Sequence, residues 1–530
     1  MPRLNRFAPW TAVFLATVWV GTVLAATPAR LATFDAYAER VLREFDVPGM
    51  AVAVMQDGAV VFARGYGVRE LGKPELVDEH TLFAIASNTK AFTATLLAQL
   101  VDEKKLRWDD RVIDHLPWFA MSDPYVTREM TIRDLLVHRS GLGLGAGDLL
   151  YWPTTNFTTK EVVQRLKFIP LATSFRAAYA YDNILYAVAG LVIEEVSGRT
   201  WAQNVRERIF APVGMADAKA NCLELAPTDN TATGHAKFDF TDLRPVPPLA
   251  WDNNSAAGGI YANVTDLARW LQVQLAAGRL PPAEDGAERR LFAAARQKDM
   301  WTLVTPMPFS NPPPLLAEAK RNFRGYALGW EITDFRGQRL VTHTGGWPGQ
   351  VSRTTLVPDR QLGIVVLTNQ EVGAAFQAVT MHLLDVFLEA PEKDWCAAYA
   401  EIVRKSGADA DDSWAKLVAG RAADSQPSLP LASYAGTYRD EWYGDVFVRE
   451  DAGKLVVQFS RTEQLLGDVE HWQHDSFIIR WRDRSLNADA FLTFALHPDG
   501  TIREARMEAV SPLTDFSFNF HDLRLAPGKQ

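Results

Sequence analysis

The chain has 530 residues, 48% of them hydrophobic and 22% charged, and a net charge of −9. That length exceeds one ordinary domain, and that composition buries a sizeable core without staples. No long basic run offers a stripe to phosphates, which argues against a nucleic-acid partner.

Arg3 and Arg6 precede an uncharged, mostly apolar stretch over residues 10–26, and Leu24, Ala25 and Ala26 supply small residues for cleavage. This pattern predicts a signal peptide over residues 1–26 and an exported protein, periplasmic or secreted. The apolar stretch of about 17 residues sits at the lower edge of a membrane span. An uncleaved anchor is therefore the rival reading, with membrane contact through this segment alone.

Leu31, Phe34, Tyr37, Ala38, Val41, Leu42 and Phe45 recur at helical spacing, and Pro48-Gly49 ends the helix. Residues 50–55 are an apolar run, Gln56-Asp57-Gly58 turns, and residues 60–64 run back, which predicts a hairpin. Residues 91–101 read as a buried helix. Residues 183–196 read as another, stopped by Gly198, with Thr200 and Gln203 placed as a capping box for the next. A second strand pair spans residues 350–357 and 363–368 around Pro358-Asp359. Residues 390–423 read as charged helix, and residues 425–430 as a linker. Short alternating strands then take over: residues 446–448, 455–459, 477–481, 491–496 and 502–510. They predict a small antiparallel barrel at the C-terminus.

Three strings carry the chemistry. Ser87-Asn88-Thr89-Lys90 places a serine at a helix N-terminus, where unpaired N–H groups and the dipole favour an alkoxide and an oxyanion. Lys90 shares that helix face, and a desolvated lysine beside a serine can take its proton. Tyr181-Asp182-Asn183 supplies a phenol able to relay a proton and an amide able to bond a substrate amide. His343-Thr344-Gly345 leads into the second strand pair, which predicts a position on a sheet edge open to an extended substrate. Each string has a decoy in the same chain. Ser413 to Lys416 reads as the start of a surface helix, Tyr261 to Asn263 as a tight loop, and Lys405-Ser406-Gly407 as a glycine-capped helix end. Order and context separate the two sets.

In these strings the chain resembles the serine β-lactamase-like superfamily, in particular class C β-lactamases, DD-peptidases, D-aminopeptidases and related esterases. The resemblance covers roughly residues 30–390. It includes Pro48-Gly49, Asp134-Leu135-Leu136 before His138-Arg139-Ser140-Gly141, and Gly258-Gly259 before Asp266-Leu267-Ala268. It implies an α/β (α+β) fold of the β-lactamase/transpeptidase type: an antiparallel sheet flanked by helices, beside an all-helical region. It implies Ser87 as the acylated nucleophile and Lys90 and Tyr181 as the proton-transfer pair, either being the base. Asn183 would contact a substrate amide. His343, Thr344 and Gly345 would meet the substrate's charged end, with His343 as the cation. Backbone N–H groups of Ser87 and Gly346 would form the oxyanion hole. Histidine where β-lactamases carry lysine tilts the expectation toward peptide or ester hydrolysis.

The implied domains are 30–390 for the hydrolase, 391–430 for a helical linker and 431–530 for a barrel resembling a lipocalin-like domain. Substrates would be small peptides, some with D-residues, or esters or β-lactams. An esterase, a β-lactamase and a non-turning penicillin-binding sensor are the alternatives. No residue spacing suggests a metal or other cofactor, and Cys222 and Cys396 read as idle thiols. The dense glycines at 141, 143, 145 and 147 lack a dinucleotide-loop context.

Overall fold

Every position of the 50–55 run is apolar because its strand is covered on both faces. In β1 (Gly49–Gln56), Met50, Val52 and Val54 enter one core while Ala51, Ala53 and Met55 enter another. Alternation would have signalled one wet face; a continuous run signals none. The computed structural model describes residues 29–282 and 287–528, so the signal peptide expected over residues 1–26 lies outside the described residues.

β1 pairs with β2 (Ala59–Gly67) across the predicted hairpin. Further along come β3 (Thr305–Pro306), β4 (Arg324–Tyr326), β5 (Glu331–Phe335), β6 (Gln338–Trp347), β7 (Gln350–Val357) and β8 (Leu362–Thr368). Together they form an antiparallel sheet in the order β2-β1-β8-β7-β6-β5-β4-β3. The core on one face contains α1 (Phe34–Glu44). The helical region covers the other, with α2 (Thr89–Asp102), α3 (Ile184–Ser197) and α4 (Val264–Leu275) contributing to its core. α3 ends at Gly198 in the left-handed conformation, φ 70°, and the Thr200–Gln203 capping box is formed. Both local signals were legible because caps depend on near neighbours alone.

α5 (Gly373–Phe387) joins the first core with the opening turns of α6 (Trp395–Ala419), where Trp395, Cys396, Ala398 and Ala400 are buried. α6 corrects two expectations. Lys405-Ser406-Gly407 does not end a helix, and Ser413 does not start one; both lie inside α6, where the Ser413 hydroxyl donates to the Asp409 carbonyl at 2.7 Å. One interior glycine costs about 1 kcal/mol, too little to break a 25-residue helix anchored at its start. Tyr261 also departs from the expected tight loop. It pairs with Ala84 in a two-residue ladder, and Asn263 caps α4 by accepting from the Asp266 N–H at 2.7 Å.

The C-terminal strands are β9 (Gly436–Asp440), β10 (Gly444–Asp451), β11 (Lys454–Phe459), β12 (Leu466–Gln473), β13 (Ser476–Trp481), β14 (Ala490–Leu496), β15 (Ile502–Ala509) and β16 (Ala526–Pro527). They form an antiparallel sheet in the order β15-β14-β13-β12-β11-β10-β9-β16. Ala505 of β15 bridges Leu525, just before β16, and this nearly closes the sheet into a barrel. Trp414 of α6 packs on Trp472 of β12, with ring centroids 5.4 Å apart.

The barrel shares the helical region's core. Phe157 meets Tyr443 edge-on at 6.0 Å, and Trp152 meets Phe518 at 6.4 Å. The Arg461 guanidinium lies 4.0 Å over the Phe157 ring. Leu149, Trp152, Phe459 and Phe518 all belong to one continuous buried cluster.

Candidate active site

Ser87 sits in a single turn of 3-10 helix (Ala86–Asn88) that runs directly into α2. Ala86 before it is left-handed, φ 46°, a conformation costing an L-residue on the order of 1–2 kcal/mol. Side chains from β7 hold the turn. Asn88 Nδ2 donates to Ser352 Oγ at 2.8 Å, and the Thr354 hydroxyl donates to Asn88 Oδ1 at 2.6 Å. β6 presses against the same turn: a Cβ added to Gly345 would lie 2.2 Å from the Ile85 carbonyl oxygen. Gly345 therefore serves a close backbone approach.

Lys90, in the first turn of α2, is fully buried, and its Nζ contacts three atoms. These are Ser87 Oγ at 2.8 Å, Asn183 Oδ1 at 2.8 Å and the Ala257 carbonyl oxygen at 3.0 Å. The last two can only accept. A neutral amine has two N–H bonds and one lone pair, so both hydrogens are taken and the lone pair is left facing Ser87. Burial lowers the Lys90 pKa to about 7, opposed by the nearby Asp148 and Asp182 carboxyls.

Tyr181 donates its hydroxyl hydrogen to Ser87 Oγ at 2.9 Å. Burial holds its pKa well above the usual phenol value. At neutral pH the resting residue is thus a phenol, suited to giving a proton and reclaiming it. His138 packs under its ring, with centroids 4.2 Å apart.

Asn183 is expected to touch the substrate, and it lines the cleft. Its amide is nevertheless engaged at both ends, because Nδ2 donates to Asp148 Oδ2 at 3.0 Å.

His343 and Thr344 lie in β6, which is interior to the sheet and not at its edge. The open edge arises from stagger: β5 pairs with β6 only as far as Thr342, and residues 343–347 keep β7 alone as a partner. The expected cation is not formed. His343 is 6% exposed, and its Nδ1 donates to the Thr344 carbonyl oxygen at 2.6 Å. Nε2, left without hydrogen, accepts from the Tyr326 hydroxyl at 2.7 Å. Burial, with Lys90 nearby, pushes the His343 pKa down to about 3. Neutral imidazole is therefore the state across working pH. His343→Asn should leave the acid limb of kcat/KM at its wild-type position; a displaced limb would show that the imidazole carries charge.

Ser87, Tyr181, Asn183, His343, Thr344 and Gly346 converge on a cleft of ≈250 Å³. Thr344 and Gly346 are exposed to it, while Gly345 is buried beneath. Arg324 lies in the same cleft, neutralised by a two-pronged bond to Glu331 at 2.7 and 2.8 Å. Three further residues, Asp515, Phe516 and Ser517, reach the cleft from the C-terminal domain. No local pattern marked these, nor Asp148 and Tyr326; Asp182 and His138 lie inside strings singled out in the sequence, but with no role assigned to them. Among the described residues no cluster of three or more His, Cys, Asp or Glu side chains could hold a metal ion. Cys222 and Cys396 are both free thiols.

A serine facing a buried lysine lone pair, with a phenol on its oxygen, is the apparatus of an enzyme that acylates itself. The chain belongs to the Beta-lactamase family, which it matches over residues 34–386, and is a serine hydrolase of that superfamily. Residues 420–527 match a domain of unknown function, DUF3471.

Among its relatives is the unguisins hydrolase ungD of Aspergillus violaceofuscus, 28% identical over 81% of this chain and 78% of that protein. Penicillin-binding protein 4 of Amycolatopsis lactamdurans is 29% identical over 63% of this chain and 84% of that one. In fold, the chain is similar to the octameric penicillin-binding protein homologue from Pyrococcus abyssi. That likeness has a TM-score of 0.60 at 20% identity and covers 93% of this chain and 99% of that one. SurE gives a TM-score of 0.54 at 21% identity, over 94% and 99%. Both likenesses span the barrel as well as the hydrolase fold.

Proposed function

We propose that this is an exported serine hydrolase that cleaves amide bonds of small or D-residue-containing peptides through an acyl-serine. The coordination of Lys90 is the observation that carries the reading. Ser87 Oγ bonds to the substrate carbonyl carbon as its proton passes to Lys90 Nζ. The backbone N–H groups of Ser87 and Gly346, two residues that line the cleft, are the donors for the oxyanion in this reading. As the C–N bond breaks, the leaving amine takes a proton from the Lys90–Tyr181 pair, which returns to neutral amine and phenol. Water then releases the acyl group by the reverse path.

The cleft favours a peptide over a compact bicyclic acid. Among the described residues that line the cleft no unpaired cation waits for a free carboxylate, since His343 is neutral and Arg324 is paired. The unpaired flank of β6 suits an extended backbone. A second cavity of ≈970 Å³ shares Trp152, Gly346 and Asp515 with the cleft and has room for a further arm of a peptide. The relative named for hydrolysis of unguisins and the solved structure of SurE with D-Leu support such substrates. The N-terminal sequence supports export.

Intact-mass measurement across D-peptide amides, p-nitrophenyl esters and β-lactams tests the reading. A transient adduct with product release is expected from the peptides. Turnover confined to esters would assign an esterase, and a lasting adduct without product would assign a penicillin-binding sensor.

A further inference from the structure

We propose that the C-terminal barrel is a working part of the catalytic centre: Ser517, through Asp148 and Asn183, holds the Lys90 amine with its lone pair on Ser87. The inference rests on the hydrolase reading, with Lys90 as the base.

The chain of bonds is continuous. Ser517 donates its hydroxyl hydrogen to Asp148 Oδ2 at 2.9 Å. The same oxygen accepts from Asn183 Nδ2 at 3.0 Å, and Asn183 Oδ1 accepts from Lys90. The Tyr151 hydroxyl donates to the other carboxyl oxygen. Asp148 is completely buried, yet three donors converge on it. Their joint effect is to fix one orientation of the Asn183 amide. Were that amide reversed, its NH2 would face the Lys90 N–H bonds and neither would find an acceptor. Lys90 would then be free to turn its lone pair from Ser87. Asp148 and Ser517 are positioning residues; neither lies on the reacting atoms.

The loop that carries Ser517 is seated for this. Asn519 Oδ1 accepts from the Leu149 N–H at 3.3 Å, and Phe516 meets the Tyr181 ring edge-on at 6.1 Å. Gly145 makes room: its φ is 66°, and a Cβ there would lie 2.9 Å from the Phe516 ring. The Gly145 N–H in turn donates to the Tyr181 carbonyl at 2.9 Å. The unexplained glycines of residues 141–147 thus include one required by the barrel's approach.

The charges bearing on Lys90 are Asp148 and Asp182, with neutral His343 and His138 and the phenol rings of Tyr181 and Tyr186 around it. Asp148 also faces Asp515. Burial raises the Asp148 pKa well above the usual carboxylate range, while the Ser517 and Asn183 donors and the Lys90 charge oppose that rise and favour the carboxylate. The carboxylate supports the lysine proton, so replacing it with an amide lowers the Lys90 pKa. In the full-length protein, Asp148→Asn should move the acid limb of kcat/KM down by about one pH unit. Ser517→Ala should move it in the same direction by a few tenths and lower kcat several-fold, and Ser517→Thr should restore both. Circular dichroism and thermal melts confirm that each variant is folded, and Ser517→Ala keeps the test alive if Asp148→Asn does not fold. An acid limb and kcat at wild-type values in folded Ser517→Ala would overturn the inference. Fluorophosphonate labelling of Ser87 separates the two failures: labelled wild type with unmoved limbs refutes the barrel's role alone, and unlabelled wild type refutes the hydrolase reading.

Discussion

Ser87→Ala should abolish covalent labelling by a fluorophosphonate or a fluorescent penicillin and lower kcat/KM on the order of 10⁶-fold. The variant removes the only atom that both Lys90 and Tyr181 address, at 2.8 and 2.9 Å. Neither partner can act in its place: the phenol is held far from ionisation, and the lysine lies completely buried. The fold should be indifferent to the change. Ser87 is half-buried, and a typical hydrogen bond contributes only about 0.5–1.5 kcal/mol net. A melting temperature near wild type together with retained labelling would place the nucleophile elsewhere.

Lys90→Met should cost on the order of 10²–10⁴-fold in kcat/KM and, more tellingly, erase the acid limb. With a pKa of about 7, wild-type Lys90 is ammonium below neutrality and amine above it. Only the amine accepts the serine proton, so activity should rise through pH 7 and level off above it. Methionine is similar in volume and neutral at every pH, so the residual rate should be flat across that range. A surviving limb centred near pH 7 would assign the base to another group. The mutation also strands Asn183 Oδ1 and the Ala257 carbonyl without a donor, an expected destabilisation of about 1–3 kcal/mol per buried group.

The three strings were legible because each is a local pattern with a local reason. The turn-to-helix step at Ser87, the capped helix after Asn183 and the strand at His343 follow from neighbours within a few residues. Their meeting in one cleft followed from the family resemblance. What sequence did not disclose is set by long-range contacts. Ser517 lies 369 residues from Asp148, and no spacing rule reaches that far. His343 was expected to be a cation because the family resemblance implies a positive charge at that place. Tyr326 and the walls of the cleft decide otherwise by excluding water. The strand 466–473 escaped detection for a related reason: its apolar residues do not alternate, since several of its side chains are only half-buried.

The stagger of β6 past β5 has a consequence for solubility. Unpaired strand segments are the usual templates for edge-to-edge aggregation, and proteins blunt them with charge, bulges or cover. The segment from His343 to Trp347 is neither charged nor bulged. It is covered, lying in a cleft walled by Trp152, Tyr181 and the barrel loop at Phe516. The barrel loop therefore covers part of the strand segment that the stagger leaves unpaired beside the nucleophile.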